Sequence, residues 1–382
     1  MKKNVLITLG RLPKGLDLVR ALSRAGCRII IAEPFGWHPC RVSRHVAQCY
    51  RVTAPNRDRE KYVDELARII AREHIDLVVP VSEEIMHVAA LRGRVTDTVR
   101  LFMADQATLL ALHNKETFIA KANALGLAVP ETHRLGTAEA QALAGKCDTI
   151  VKFVYSCAGM GLKRIQRGEQ LPAAKHDRPA LVQASINGRE VSTFSIVEQG
   201  RLIVTAMYQG TVRSGTTAVA MRRIADAPLI QKWVKQFTKA IDFSGFISFD
   251  FIIDDAGIAH AIECNPRVSS GIHFLESPSL AMAILDPVRA QNVEFRKNQQ
   301  LQQFFTCLTE TQGSIFRWSE FRANLHYLTR SRDVMWRWDD PLPLLLMTPT
   351  SFEILRRVIV EGMSFGEAAI VDIDWLGDQS SD

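Results

Sequence analysis

Asp250, Glu263, Asn265 and Arg267 are the residues of this 382-residue chain whose types and spacing point most directly to chemistry. Glu263 and Asn265 lie in AIECNPRVSSG, Ala261 to Gly271, and Asp250 lies just upstream in the alternating run GFISFDFIID, Gly245 to Asp254. The two runs read as antiparallel strands joined by a turn at Asp254-Asp255-Ala256-Gly257, because Asp and Gly between β-rich segments favour a hairpin. Residues two apart on a strand share a face, so Glu263 and Asn265 point one way and Asp250 can meet them from the neighbouring strand. Hard oxygen donors of this kind suit Mg²⁺, which takes one or two carboxylates and leaves its other positions to water and phosphate. Arg267, stiffened by Pro266, would set a planar guanidinium beside the site, where charge building up in a transfer step needs a partner. A single acid near a strand end is more often solvated than metal-bound. Order, spacing and the arginine together lift the reading above that background.

Other elements must bring further groups to that hairpin. TIVKFVYSCAGMGLKRI places Lys152 on a strand, Thr149 to Val154, followed by a small-residue loop, Ser156 to Gly161, and another strand. Such a loop can lay backbone N–H groups over a phosphate chain. Taken alone, a plain hairpin with a surface lysine explains it better. LVQASINGREVS turns at Asn187-Gly188 and carries Glu190 out on the far side. In AVAMRRI, Arg222 and Arg223 are adjacent on a strand and face opposite ways, so at most one reaches a shared site. A helix over 227–241 precedes the hairpin.

The N-terminal part reads as a βαβ unit: a strand at Asn4 to Leu9, a turn at Gly10 to Gly15, a helix over Leu16 to Ala25, and a second strand in CRIIIAEP ending at Glu33. That invites a dinucleotide-binding interpretation, but GRLPKG lacks G-x-G-x-x-G. A helix over Arg59 to Arg72 precedes IDLVVPVS, and Glu83 and Glu84 follow at the carboxyl end of that strand, where open α/β sheets gather ligands. They could hold an amine or cap the next helix. Asn114 and Lys115 precede a helix that stops at Gly126. Beyond Leu275, helices are expected at Ser279 to Arg289 and Val293 to Leu308. The end mixes helices with VMWRWDDPLP, where Trp336 and Trp338 favour core packing over a ligand platform.

Composition narrows the classes. Hydrophobic residues make up 47% and charged residues 23%, the ordinary range for a globular chain long enough for two or three domains. The net charge of +6 is scattered rather than gathered in a basic stripe with aromatics, which argues against nucleic acid and agrees equally well with an anionic nucleotide substrate. Seven cysteines without a CxxC pair suggest neither a disulfide framework nor a zinc site, but reduced thiols in the cytoplasm. No stretch reaches the length of a membrane span, and MKKNVLITLG reads as a first strand.

With these motifs in order, residues 1 to about 290 resemble the ATP-grasp superfamily, and ECNPR looks most like its biotin carboxylase and carbamoyl phosphate synthetase branch. The resemblance implies an α/β fold, α+β around the nucleotide. An N-terminal open parallel α/β domain (1–112) would precede a lid subdomain (113–185) and a core with the metal site (186–290), with a mostly helical extension (291–382) beyond. It implies that Lys115 and Lys152 reach the nucleotide phosphates. Ser156, Gly159, Met160 and Gly161 would form the lid loop. Gln183, Ala184 and Ile186 would form the hinge around adenine, and Glu190 would hold the ribose. Asp250, Glu263 and Asn265 would ligate Mg²⁺, or Mn²⁺ in its place. Arg267, Lys152 and Arg222, the last standing for the 222–223 pair, would act on the transferring phosphoryl group. Cys157, Met160 and Gln183 depart from the family's usual residues. The activity implied is ATP-dependent carboxylate–amine or carboxylate–thiol ligation through an acyl phosphate. The partners would be a small-molecule carboxylate and amine, with a homodimer allowed. The competing expectations are a kinase-like or regulatory ATP-binding protein using the same site, and a nicotinamide enzyme built on the first domain.

Overall fold

The computed structural model describes residues 2–156, 161–175, 177–215, 217–362, 368–375 and 377, with the side chains of 357 and 361 left aside. Three sheets carry the architecture. The first is parallel, with strands β1 (Asn4–Ile7), β2 (Arg28–Glu33), β3 (Gln48–Arg51), β4 (Leu77–Val79) and β5 (Arg100–Leu101) in the order β3-β2-β1-β4-β5. Helices α1 (Pro13–Arg24), α2 (Arg59–Arg72) and α3 (Ile85–Val88) belong to this part, and α4 (Gln106–His113) and α5 (Lys115–Ala124) lead out of it. Proline at the start of α1, and the side chains of Asp58, Asp105 and Asn114 accepting backbone N–H groups at the starts of α2, α4 and α5, fix where these helices begin.

Next comes a four-stranded antiparallel sheet, β6 (Thr132–Arg134), β7 (Thr149–Phe153), β8 (Lys163–Ile165) and β9 (Ala180–Ala184), ordered β6-β9-β7-β8 and backed by α6 (Ala138–Lys146). The largest sheet holds β10 (Arg189–Glu198), β11 (Arg201–Ser214), β12 (Thr217–Ile224), β13 (Gly245–Ile253), β14 (Ala259–Asn265), β15 (Gln300–Gln302) and β16 (Arg332–Asp333), ordered β14-β13-β10-β11-β12-β15-β16. The remaining helices are α7 (Pro228–Ala240), α8 (Ser277–Leu285), α9 (Phe304–Gly313), α10 (Trp318–Arg330), α11 (Leu342–Leu345) and α12 (Met347–Glu361).

Alternation along β13 explains how this sheet is buried on both faces. Ile247, Phe249 and Phe251 point to one side, where Trp233 and Phe237 of α7 and Phe118 of α5 meet them in an aromatic cluster. Phe246 points to the other, with Phe194 of β10, Tyr208 of β11 and Phe274 beyond β14. Ser248 and Asp250 share that second face. The hydrophobic faces therefore fix the register, and the register decides which polar side chains meet.

The sequence reading of the C-terminal region needs three corrections. α8 ends at Leu285 rather than near Arg289, because Pro287 disfavours helix just before it. Residues 293–303 are extended rather than helical. Phe295 bridges to Leu275, and Gln300-Leu301-Gln302 adds β15 to the open edge of β12 with Leu301 fully buried. Trp338 is exposed and Trp336 half-buried, and the two indoles pack on each other with centroids 5.1 Å apart instead of entering the core. Among the described residues no helix is long and apolar enough to cross a membrane.

Candidate ATP and metal site

The hairpin β13–β14 forms as its turn chemistry demands. The Asp254 carboxylate accepts from the Ile258 N–H, the Gly257 N–H donates to the Asp254 carbonyl, and Gly257 takes the left-handed φ of +81° that a side chain would strain. The ladder sets Asp250 directly opposite Glu263 and Ser248 opposite Asn265. A bulge follows, because Phe251 pairs with Ala261 and leaves Ile262 as the extra residue. The Ile262 carbonyl, out of the ladder, accepts from Lys152 Nζ at 2.8 Å, so the irregularity that aims Glu263 also anchors the lysine of β7.

Register then extends the row across the sheet. Ser192 of β10 lies opposite Asp250 on one side and Tyr208 of β11 on the other. Ser192 Oγ donates to Asp250 Oδ1 at 2.6 Å. Burial, with Glu263 facing it, pushes the Asp250 pKa up to about 6. Burial, with Asp250 nearby, pushes Tyr208 up to about 12. Ser192 and Tyr208 escaped the sequence reading. The spacing of two from Glu190 to Ser192 was the available signal, but only the register shows that this face meets Asp250.

Lys115 Nζ donates to the Ser156 carbonyl at 2.6 Å and lies 3.5 Å from Glu263 Oε1. Lys152 Nζ also donates to Gln183 Oε1 at 2.9 Å, and burial lowers its pKa to about 8, opposed by Glu263. Two lysines thus face two carboxylates. Gln183 in turn donates to Thr132 Oγ, so this hinge residue braces β6, β9 and β7 together. Ala184 closes β9 and Ile186 lies between β9 and β10, both half-buried, and the Ala184 N–H is already taken by the Glu131 carbonyl. Asn187-Gly188 turns as expected, and a Cβ on Gly188 would lie 2.1 Å from the Ile253 carbonyl oxygen. Of the lid loop, Ser156 and Gly161 are described. Cys157, Gly159 and Met160 lie outside the described residues.

Arg267 donates from Nε to Glu83 Oε1 at 2.5 Å and from a terminal nitrogen to Asn265 Oδ1 at 3.2 Å. Burial opposes ionisation of Glu83, but Arg267, His113 and Lys14 outweigh it and hold the carboxyl below its ordinary value. Glu83 therefore belongs to Arg267 rather than to an amine. Glu84 accepts from Thr8 and from the Val81 and Ser82 N–H groups, bracing the turn after β4. Glu33 accepts from the Gly10, Arg11 and Phe35 N–H groups and pairs with Arg11, so it buttresses the first turn from a fully buried position.

Arg222 is corrected by the register. It lies opposite Gln209, on the face away from Tyr208, and is exposed. Arg223 lies opposite Tyr208, on the site face, but its guanidinium sits 4.7 Å from the centre of the Phe295 ring. The arginines among the described residues lining the cleft are Arg11, Arg213 and Arg267. Arg213 of β11 pairs with Glu190, the expected ribose acid, at the rim.

Ser192, Tyr208, Arg213 and Arg267 open onto a cleft of about 430 Å³ that runs from Glu190 and Ile262 past Asp250, Glu263 and Asn265 to Lys14 and Ser82 beside the parallel sheet. The donor set fits a hard divalent cation: two carboxylates, one with its pKa raised by the other's charge as well as by burial, and an amide. Among the described residues no three His, Cys, Asp or Glu side chains gather to make an all-protein cage. The Asn265 amide has its nitrogen 3.5 Å from Asp250 Oδ2 and its oxygen on Arg267. Ligation by Asn265 requires the amide to turn over, which would loosen its hold on Arg267.

Residues 112–271 match the family model of the ATP-grasp domain. The chain carries an ATP-grasp domain. No curated protein sequence matches the chain. Solved structures share its fold at low identity. The biotin carboxylase of Campylobacter jejuni, in a β-γ-ATP complex, superposes with a TM-score of 0.61 at 14% identity over 78% of this chain and 74% of that one. The L-amino acid ligase of Bacillus licheniformis gives 0.56 at 16% identity over 75% and 74%. The pyruvate carboxylase of Rhizobium etli gives 0.59 at 18% identity over 75% of this chain, which spans only 28% of that longer one. The fold is thus shared with these structures on a sequence far from theirs.

Proposed function

We propose that this ATP-grasp protein is an ADP-forming ligase that activates a small-molecule carboxylate with ATP and joins it to an amine. The observation that carries this is the row Ser192–Asp250–Glu263, which lines one cleft together with Arg267, while Lys115 and Lys152 are buried beside it at Glu263 and the Ile262 carbonyl. Asp250, Glu263 and a turned Asn265 would hold Mg²⁺, or Mn²⁺. When bound, that ion neutralises charge on the β- and γ-oxygens of ATP and keeps the reacting groups in line. Lys115 and Lys152 supply positive charge to the phosphates from the other side. Their ammonium groups are held by the Ser156 and Ile262 carbonyls, so little reorganisation is needed when charge develops. Gly161, with Ser156, Gly159 and Met160, would belong to the loop that keeps water from the site. Gln183, Ala184 and Ile186 would border the adenine, and Glu190 with Arg213 the ribose.

A substrate carboxylate oxygen attacks the γ-phosphorus, a P–O bond forms, and the bond to the β-phosphate oxygen breaks to release ADP. The amine lone pair then attacks the acyl carbon, a C–N bond forms, the C–O bond to phosphate breaks, and the amine's proton passes to solvent. Arg267, its Nε fixed by Glu83, stands where negative charge accumulates in the first step and on the departing phosphate in the second. The chain needs no nucleophile of its own.

The test is a screen of pooled carboxylates and amines for ADP release with Mg²⁺, followed by mass spectrometry of the product. Release that requires both pools, with a product heavier than the acid by the amine less water, supports ligation. Release that needs only a hydroxyl or phosphate acceptor would make the protein a kinase. ATP binding without release under any pool would leave a regulatory protein.

A further inference from the structure

The cleft has two unlike walls. One is the polar row of the large sheet. The other is aliphatic and comes from both ends of the chain: Leu12 just before α1, Met347 and Ile354 on α12, and Ala369 and Ile370 beyond it. This second wall is built into the fold. Ile354 is buried with Phe35, Ala368 and Ala369. The Phe35 ring centre lies 3.4 Å from the Arg11 guanidinium, which pairs in turn with Asp372. Asn56 of the parallel domain receives the Asp372 carbonyl on its N–H and donates from its side chain to the Val371 carbonyl and Asp374. The wall is thus fixed to the first domain from below.

We infer that this wall selects the substrate, and that the carboxylate activated here belongs to a compound with an apolar body, a hydrocarbon chain or a ring. The inference rests on the carboxylate-activation reading above. Its anionic end would point to Arg267 and Lys14, both lining the polar end of the cleft. Its body would run along Met347, Ile354 and Ile370, where removal of apolar surface from water provides the affinity. Along those side chains a second carboxylate or a row of hydroxyls would be buried without a partner, and Arg11, which also lines the cleft, is already bound to Glu33 and Asp372, which penalises dicarboxylates and sugar acids.

The experiment is calorimetric titration of the full-length protein, saturated with MgADP, with 3-phenylpropionate and with succinate. The expected result is that 3-phenylpropionate binds at least about tenfold more tightly. Ile370→Gln and Met347→Gln should each weaken 3-phenylpropionate by about tenfold and leave MgADP affinity unchanged. Equal affinities in the wild-type protein would overturn the inference, as would no binding of either acid, and neither result depends on a variant folding. Variants that bind MgADP normally and keep full preference would also overturn it. Preference for the apolar acid without ADP release in any amine pool would retain the pocket and reject the ligase reading.

Discussion

At the scale of single residues, strand register forces two carboxylates of the candidate site to face each other. Asp250 and Glu263 are paired by strand register, and burial raises the Asp250 pKa, so the protein bears a cost that a divalent cation would offset. Glu263→Gln keeps the shape and removes the charge. We expect it to fold normally and to lose ATP turnover at saturating Mg²⁺, and wild-type ADP formation in this variant would refute the assignment. Arg267→Lys keeps a charge but not the fork that reaches Glu83 and Asn265 together. ATP affinity should change little, while turnover falls by about 100- to 1,000-fold, the loss expected for one preorganised donor. If turnover at saturation is unchanged and only ATP binding weakens, Arg267 acts in ground-state binding instead. Asp250, Glu263 and Asn265 were legible because alternation by two is a local property. The partner of Arg267 was not. Glu83 is separated from it by 184 positions, and either of two roles suited an acid at a strand end. The choice between Arg222 and Arg223 hung on a register that alternation alone does not give.

At the scale of elements, α1 is where the parts of the molecule are tied. Asp17 on its buried face accepts from His273 Nδ1 at 2.6 Å and from Arg296 at 2.8 Å, and Arg20 pairs with Asp340 at 2.9 Å. All three of these partners lie more than 250 positions away in the chain. Burial opposes the charge on Asp17, and Arg296 with His273 outweighs it, so the carboxyl stays ionised. Asp17→Asn should cost about 3–5 kcal/mol, since it leaves the buried Arg296 without its counter-charge. Urea unfolding would measure it, and a loss below about 1 kcal/mol would show that the pair breaks even with its desolvation. The sequence did place the α2 boundaries and the hairpin turn, where capping and Asp-Gly chemistry are local. It did not place β15, because Val293 to Leu308 has enough apolar residues for a helix. What decides the outcome there is the open edge of β12, a tertiary fact.

At the scale of the whole molecule, the C-terminal stretch returns to the first domain. His87 and His113 rings meet the carbonyls of Asp374 and Trp375 at 3.1 and 3.0 Å. Nothing local in the sequence foretold that return, and the resemblance to a known family stopped short of it. Burial, with Glu83 and Asp372 nearby, pushes the Asp374 pKa up to about 7 although Asn56 opposes the shift. The unfolded chain ionises near pH 4, so the stabilisation from this group is complete below about pH 4 and is lost as the pH rises through about 7. Asp374→Asn stays neutral throughout. Its Tm relative to wild type should therefore rise by about 2 °C or more between pH 5 and pH 8, and a constant difference would contradict the assignment. Activation of a carboxylate as an acyl phosphate in this cleft would leave an isotopic trace. A substrate acid found in the ADP-release screen is labelled with ¹⁸O in its carboxylate, and the inorganic phosphate released on ligation is analysed by mass spectrometry. One ¹⁸O carried from the acid into each phosphate is the expected result. Unlabelled phosphate, with the product still formed, would contradict it.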